Sequence, residues 1–318
     1  MKKYNFEDKT SSFEHQVNAI TKISGDHPVA LFDEQGLGKS KMVLSGLLND
    51  FKENLIDSIL IVCKKTLIKM WEHEINIHTH LKAINLSGKG NERLRKITSF
   101  SHFYIINYET LIKDEELLKG LLQLKRFAIV LDESHKIKDP LSKITKSLIR
   151  LREYSKKNII ITGTPVANKP EDLWTQFYFL DKGKLLKKDF KEFKKEYGID
   201  IGMGKNKINH EKLIELQKII INFSIRRTKK VASPDLLDKE YIEKLIELKG
   251  KQKELYNSVK DEMYLEFKNI DGESMKDQTE NILKKLLRLT QIASNPLSIE
   301  NLTTNDYDEV PAKFEEMD

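Results

Sequence analysis

Three short stretches carry residue types suited to handling a phosphorylated ligand. The first is Asp33-Glu34-Gln35-Gly36-Leu37-Gly38-Lys39-Ser40. Glycines 36 and 38 let backbone N–H groups close on an anion, and a helix starting there adds its N-terminal partial positive charge. Lys39 has the reach for β- and γ-phosphates, and the Ser40 hydroxyl can ligate Mg²⁺. The usual G-x-x-x-x-G-K-[ST] pattern has glycine where Asp33 stands, so an ordinary glycine-rich turn is the competing reading. The second stretch is Asp132-Glu133-Ser134-His135, directly after the apolar run Ile129-Val130-Leu131. Nucleotide hydrolysis needs one carboxylate to hold Mg²⁺ and another to orient and deprotonate water. A solvated acidic loop after a buried strand is the plain alternative. The third is Thr162-Gly163-Thr164-Pro165 at the end of another apolar run. Its hydroxyls could hydrogen-bond carboxylates or phosphates, and it is equally ordinary turn chemistry.

These stretches need elements to position them. Val29 to Phe32 reads as a short buried strand, and Met42, Leu44, Leu47 and Leu48 mark a helix ending near Asn49-Asp50. Continuous apolar runs predict further strands at Ser58–Cys63, Ile84–Leu86, Phe103–Ile106, Phe127–Leu131 and Asn158–Ile161. Helical patterns lie between them, at Leu67–Ile75 with Trp71 on its apolar side, at Glu115–Leu124 and at Lys143–Arg152. Ser11-Ser12-Phe13-Glu14 has the form of a capping box opening a helix from His15 to Ile23, with Gln16 read as a surface residue. Alternating strands and helices predict an α/β fold: a mainly parallel sheet with helices on both faces. Ligands of such sheets sit beyond the C-terminal strand ends, where Asp33 and Asp132 fall.

Beyond Glu171 the texture changes to Lys-rich amphipathic helices from Trp174 to Ile221, broken by a turn region at Gly198–Gly204. Ile225-Arg226-Arg227-Thr228-Lys229-Lys230 closes that segment, and Val231 to Asp238 reads as a linker. Tyr241–Leu248 fits neither helical nor strand period; Lys251–Phe267 and Glu280–Ile292 are helical, and Asn301–Asp318 is acidic.

The chain has 318 residues, 55 Lys and Arg against 49 Asp and Glu, and a formal charge of +6. That permits a polyanionic partner without requiring one. The single cysteine, Cys63, cannot form an internal disulfide and points to a reducing cytoplasm. No segment approaches the roughly 20 apolar residues of a membrane span. His73, His78 and His80 lack zinc-site spacing, and Cys63 lies in a predicted strand, as a core residue rather than a nucleophile.

Taken in order, Gln16, Asp33 to Ser40, Asp132-Glu133-Ser134-His135-Lys136-Ile137-Lys138 and Thr162-Gly163-Thr164-Pro165-Val166-Ala167-Asn168 resemble the Q motif and motifs I, II and III of helicase superfamily two, specifically its Swi/Snf-type DNA-translocating ATPases. Local matches extend this: Ile61-Val62-Cys63 through Trp71 and Glu74 resembles motif Ia, and Ile106 to Thr110 resembles the segment after it. Glu171-Asp172-Leu173-Trp174, Arg226 to Lys229, Gln252, Tyr256 and Leu289–Pro296 extend it to about residue 316.

The resemblance implies a RecA-like P-loop NTPase lobe over residues 1–230, with a helical insertion near 175–221 and the helical start of a second lobe over 231–318. It implies an ATP site formed by Gln16, Asp33, Glu34, Gln35, Gly36, Leu37, Gly38, Lys39 and Ser40, with Gln16 reading the adenine edge. Lys39, Asp132 and Glu133 would be catalytic, with Ser40 and Asp132 on Mg²⁺ and Glu133 as the base. His135, Thr162 and Thr164 would couple nucleotide state to DNA grip. DNA, as duplex, would be held through its phosphates by Lys64, Lys65, Thr66, Arg93, Arg95 and Asn107. Lys64 stands where proline is usual, and Ser134 where alanine is common. The sequence stops before motifs IV to VI and their arginine fingers, worth roughly 10³–10⁵ in rate, so slow hydrolysis is expected of these residues alone. A restriction or phage-defence helicase subunit, or a non-catalytic nucleotide-gated module, are the rival assignments.

Overall fold

The computed structural model describes residues 4–165, 170–186, 189–197, 210–232, 240, 242–268, 275–299, 303 and 307–316. Val166-Ala167-Asn168, the Gly198–Gly204 turn region, most of the expected linker and much of the acidic C-terminal stretch lie outside these residues. The chain divides into two compact units, Met1–Leu237 and Asp238–Asp318.

The first unit runs α1 (Glu14–Ile23), β1 (Val29–Leu31), α2 (Lys39–Lys52), β2 (Ser58–Cys63), α3 (Ile68–His78), β3 (Ala83–Asn85), α4 (Gly90–Thr98) and β4 (Phe103–Asn107). It continues with α5 (Tyr108–Lys113), α6 (Glu115–Leu124), β5 (Phe127–Asp132), α7 (Lys143–Leu151), β6 (Ser155–Ile161), α8 (Glu171–Asp181), α9 (Phe190–Tyr197), α10 (His210–Ile221), β7 (Ser224–Ile225) and α11 (Lys229–Ala232). Seven strands form one sheet in the order β3-β4-β2-β5-β6-β1-β7, and every paired neighbour is parallel.

Alternation along each strand divides the core in two. Leu60 and Val62 join Tyr104, Ile106, Ile129 and Leu131 on the face covered by α5 to α10. Ile59, Ile61 and Cys63 join Phe103, Ile105, Ala128 and Val130 on the face covered by α1, α2 and α3. Both faces are dry, which is why β2 and β5 read as unbroken apolar runs.

Several sequence expectations are corrected. Helix α1 starts at Glu14 with Phe13 as its N-cap, and Gln16, not Glu14, closes the cap: its Oε1 accepts from the Phe13 N–H at 3.0 Å. Gln16 is therefore buried rather than a surface residue. Strand β6 begins three residues earlier than its apolar run. Lys157 is admitted to the interior by an ion pair with Asp50 (2.5 Å), and Asn158 by a hydrogen bond from Ser155 (2.8 Å). Helix α8 is not a Lys-rich amphipathic helix; Leu173, Trp174, Phe177 and Leu180 enter the main core, as do Phe193 and Leu216 from α9 and α10. Arg93, Arg95 and Lys96 lie on a helix, α4, that the strand-and-helix pattern did not show.

The second unit pairs α12 (Gly250–Lys268) with α13 (Met275–Ser294) and ends in α14 (Ala312–Glu315). Gln252 is buried and clamps it, donating to the Ile292 carbonyl at 2.7 Å and accepting from the Ala312 N–H at 2.9 Å. Residues 242–249 form neither helix nor strand.

Candidate active site

Strand register brings the three chemical stretches to one level. Leu31 of β1 pairs with Ile161 of β6, and Ile161 pairs with Asp132 of β5. The next residues on these adjacent strands are Phe32-Asp33, Thr162 and Glu133. The Thr162 N–H donates to the Leu31 carbonyl at 3.1 Å, so the threonine turn is tied directly to the strand feeding the phosphate loop.

In that loop Gly36 and Gly38 hold φ of 87° and 75°, the left-handed region where a side chain is strained. Gly38 has a second reason: a Cβ there would lie 2.4 Å from Gln16 Nε2. Gln16 donates to the Leu37 carbonyl at 3.3 Å, and a His15 ring nitrogen lies 3.2 Å from the same oxygen. The Lys39 ammonium donates to the carbonyls of Asp33 (2.7 Å) and Glu34 (3.2 Å). Burial pulls its pKa below the ordinary lysine range, while the charges of Asp33, Asp132, Glu133 and Glu34 pull it back up. Its positive charge thus sits within the field of both strand-end acids. Gln35 packs against Gly163, whose Cβ would meet it at 3.3 Å.

Asp33 is fully buried, and its carboxylate is engaged by Arg227 from the basic stretch after β7, through the Arg227 N–H (2.8 Å) and the guanidinium (3.2 and 3.1 Å to the two oxygens). The same guanidinium reaches the His15 carbonyl. Glu34 accepts from the Lys229 N–H at 2.7 Å and donates its own N–H to the Arg227 carbonyl at 3.0 Å. Asp33, the departure from the glycine pattern, and its neighbour Glu34 therefore fasten the loop to the segment that follows β7, a strand the sequence did not reveal. Arg227 is a brace for the loop.

Asp132 ends β5 with Oδ2 accepting from Trp71 Nε1 (2.8 Å) and Oδ1 from the Glu133 N–H (2.9 Å). Its carbonyl accepts from the Tyr108 hydroxyl at 2.7 Å. Burial raises its pKa above the usual carboxylate range, although both hydrogen bonds and Lys39 oppose this. Trp71 and Tyr108 were not foreseen as site residues; the only signal was a polar tip on an otherwise apolar position. Glu133 itself has φ 54° and ψ 51°. Its Oε2 accepts from the Thr162 hydroxyl at 3.3 Å and lies 3.2 Å from His135 Nδ1. His135 Nδ1 is 3.3 Å from Thr162 Oγ1, and Thr162 Oγ1 accepts from the Thr164 N–H at 3.1 Å. Burial depresses the His135 pKa, helped by the charges of Lys64, Lys136 and Lys138, with Glu133 opposing.

The residues read as contacts for nucleic acid separate into two sets. Lys65, Thr66 and Arg95 are exposed and Lys64 is half-buried beside His135. Arg93 is held by Asp114, with 2.8 Å between Arg93 Nη2 and Asp114 Oδ1, and also reaches the Gly88 carbonyl. Asn107 caps α5, accepting from the Thr110 N–H at 2.8 Å. Cys63 is fully buried, and its thiol is pushed up to about 12 by burial and by the charge of Asp132.

A cation, two acids and a threonine turn thus converge at the C-terminal ends of β1, β6 and β5, an arrangement suited to an activated water and a polyphosphate. The comparisons with known proteins agree. The SNF2-related domain family matches residues 19–298. The chromatin-remodeling ATPase INO80 of Cryptococcus neoformans var. neoformans serotype D (strain B-3501A) is 32% identical over 249 residues, 72% of this chain and 14% of that protein. The uncharacterized ATP-dependent helicase MG018 of Mycoplasma genitalium is 28% identical over 284 residues, 88% of this chain and 25% of that protein. A Sulfolobus solfataricus SWI2/SNF2 ATPase core solved in complex with dsDNA aligns at a TM-score of 0.63 and 28% identity, covering 96% of this chain and 62% of that one. The chain spans a quarter or less of these two curated relatives. With the RecA-like fold, the ordered motifs and these matches in agreement, this chain belongs to the SNF2-related domain family.

Proposed function

We propose that this chain is the ATP-binding part of a DNA-translocating ATPase, coupling ATP hydrolysis to movement along duplex DNA. The observation that carries the reading is the shared register of β1, β6 and β5, which sets Lys39, at the start of α2, within the field of Asp132 and Glu133. Gly36, Leu37, Gly38 and Lys39 would wrap the polyphosphate, with Gln16 at the edge where the base enters. Mg²⁺ fits the donors present. The Ser40 hydroxyl makes no hydrogen bond among the described residues, and the Asp132 carboxylate, raised by burial, gains from a hard cation nearby. Held by Ser40 and Asp132, the ion would supply positive charge that offsets the charge developing on the phosphates. Glu133 would orient the attacking water and take its proton, its carboxylate held by Thr162. Thr162, Thr164 and His135 form the contact through which a change at the phosphates reaches the surface bearing Lys64 and Lys65.

Support for the DNA partner comes from the family, from the INO80 relatives and from the DNA-bound Sulfolobus structure. The test uses nucleotide binding and phosphate release, with and without duplex DNA, on the full-length protein. Glu133→Gln should bind ATP like the wild type and lose turnover by about 10²-fold or more. Lys39→Ala should lose both. Turnover surviving Glu133→Gln would disprove the assignment of the base.

A further inference from the structure

Ser134 and Gln176 take no part in the chemistry above, yet both are fully buried. Gln176 Nε2 lies 2.8 Å from the Pro165 carbonyl and 2.8 Å from the Asp172 carbonyl. Carbonyl oxygens only accept, so the amide nitrogen must face them. That turns Gln176 Oε1 toward Ser134, whose hydroxyl donates to it at 2.7 Å. The orientation of the pair is therefore set by chemistry, and its polar groups are satisfied.

These bonds close a circuit through the site. Thr162 donates to Glu133 and accepts from the Thr164 N–H. Pro165 follows Thr164, its carbonyl is held by Gln176, Gln176 is held by Ser134, and Ser134 adjoins Glu133. Thr175, beside Gln176 on α8, adds a second tie by donating to the Lys138 carbonyl at 3.3 Å. A plain seal between α8 and the sheet would use apolar residues, as Leu173, Trp174, Phe177 and Leu180 do on the same helix. Apolar packing fixes no orientation; a satisfied buried amide does.

The geometry points to Gln176 as a positioning residue that, with Ser134, sets the spacing between the acid-bearing turn and the threonine turn. A displacement of residues 162–165 is thereby transmitted to the Glu133 carboxylate. This rests on the ATPase reading above and adds to it a route between the two motifs.

The experiment compares Ser134→Ala, Gln176→Leu and the double variant in the full-length protein. Each single change leaves a buried polar group unpaired, so kcat should fall about tenfold, with KM for ATP little changed and the DNA stimulation ratio reduced. The double variant should be no slower than Gln176→Leu, because both changes cut one circuit. Multiplying losses, or folded single variants with wild-type kcat, would overturn the proposal. Hydrogen exchange gives a reading independent of turnover: Ser134→Ala should speed exchange of the Thr164 amide, and unchanged exchange there would also overturn it. Lys39→Ala serves as the control. A wild-type protein without turnover would refute the ATPase reading itself, and the exchange arm then decides the link between the turns.

Discussion

Asp33 shows how much a single side chain can reveal once its partner is visible. As a departure from the phosphate-loop pattern it weakened the nucleotide reading; as the buried partner of Arg227 it explains how the loop is held. Asp33→Asn leaves the guanidinium without its counter-charge and should destabilise the fold by about 3–5 kcal/mol. Urea titration would measure this, and pairing the change with Arg227→Met should recover part of the loss. His102 offers a test by pH. It lies among Tyr4, Phe6, Phe51 and Phe100, and burial, with Lys125 nearby, depresses its pKa from the usual 6.5. The unfolded chain takes up the proton first as pH falls. The stability from neutral His102 is present above 6.5 and declines as pH drops through the lower folded-state value, by at most about 1.4 kcal/mol per unit. The wild type minus His102→Gln difference in unfolding free energy between pH 8 and 5 should show that slope, and a flat difference would refute it.

At the level of elements, the sequence disclosed what local pattern controls and hid what distant partners control. Strand β2 and helix α6 were bounded to the residue, because an apolar run between turns and a strong amphipathic period are local signals. The start of β6 was hidden because Lys157 is buried by virtue of Asp50 and the Ile23 carbonyl, both more than a hundred residues away. Strand β7 was missed because two residues carry no period at all. The site followed the same rule: Lys39, Asp132 and Glu133 were legible as motif residues, whereas Trp71 and Tyr108 became site residues only when β5 lay beside them. The loop before α2 gives the sharpest element-level prediction. Gly38→Ala combines an unfavourable φ with a clash against Gln16, so ATP affinity should fall by roughly tenfold or more. Isothermal titration would read it, while far-UV circular dichroism should be unchanged.

Across the whole molecule the positive excess is modest, and two of the six expected phosphate contacts are not free to act. Arg93 and Asn107 are committed to the fold, which leaves Lys64, Lys65, Thr66 and Arg95 as the surface for a backbone partner. Lys65→Glu should therefore lower the slope of log affinity against log salt for duplex DNA by about one unit. Arg93→Glu should instead lower thermal stability through loss of the Asp114 pair. Fluorescence anisotropy over a salt series separates the two, and an unchanged slope for Lys65→Glu would remove that lysine from the interface. Among the described residues no helix is long and apolar enough to cross a membrane.

The left-handed backbone of Glu133 carries a thermodynamic corollary. A non-glycine residue pays about 1–2 kcal/mol to sit there, so the position that would do the chemistry is also one the polypeptide would more comfortably fill with no side chain. Glu133→Gly should then melt at a higher temperature than Glu133→Ala, although neither variant keeps the carboxylate proposed as the base. Equal melting temperatures would mean the surrounding bonds, rather than the dihedral angles, set the energy of that turn.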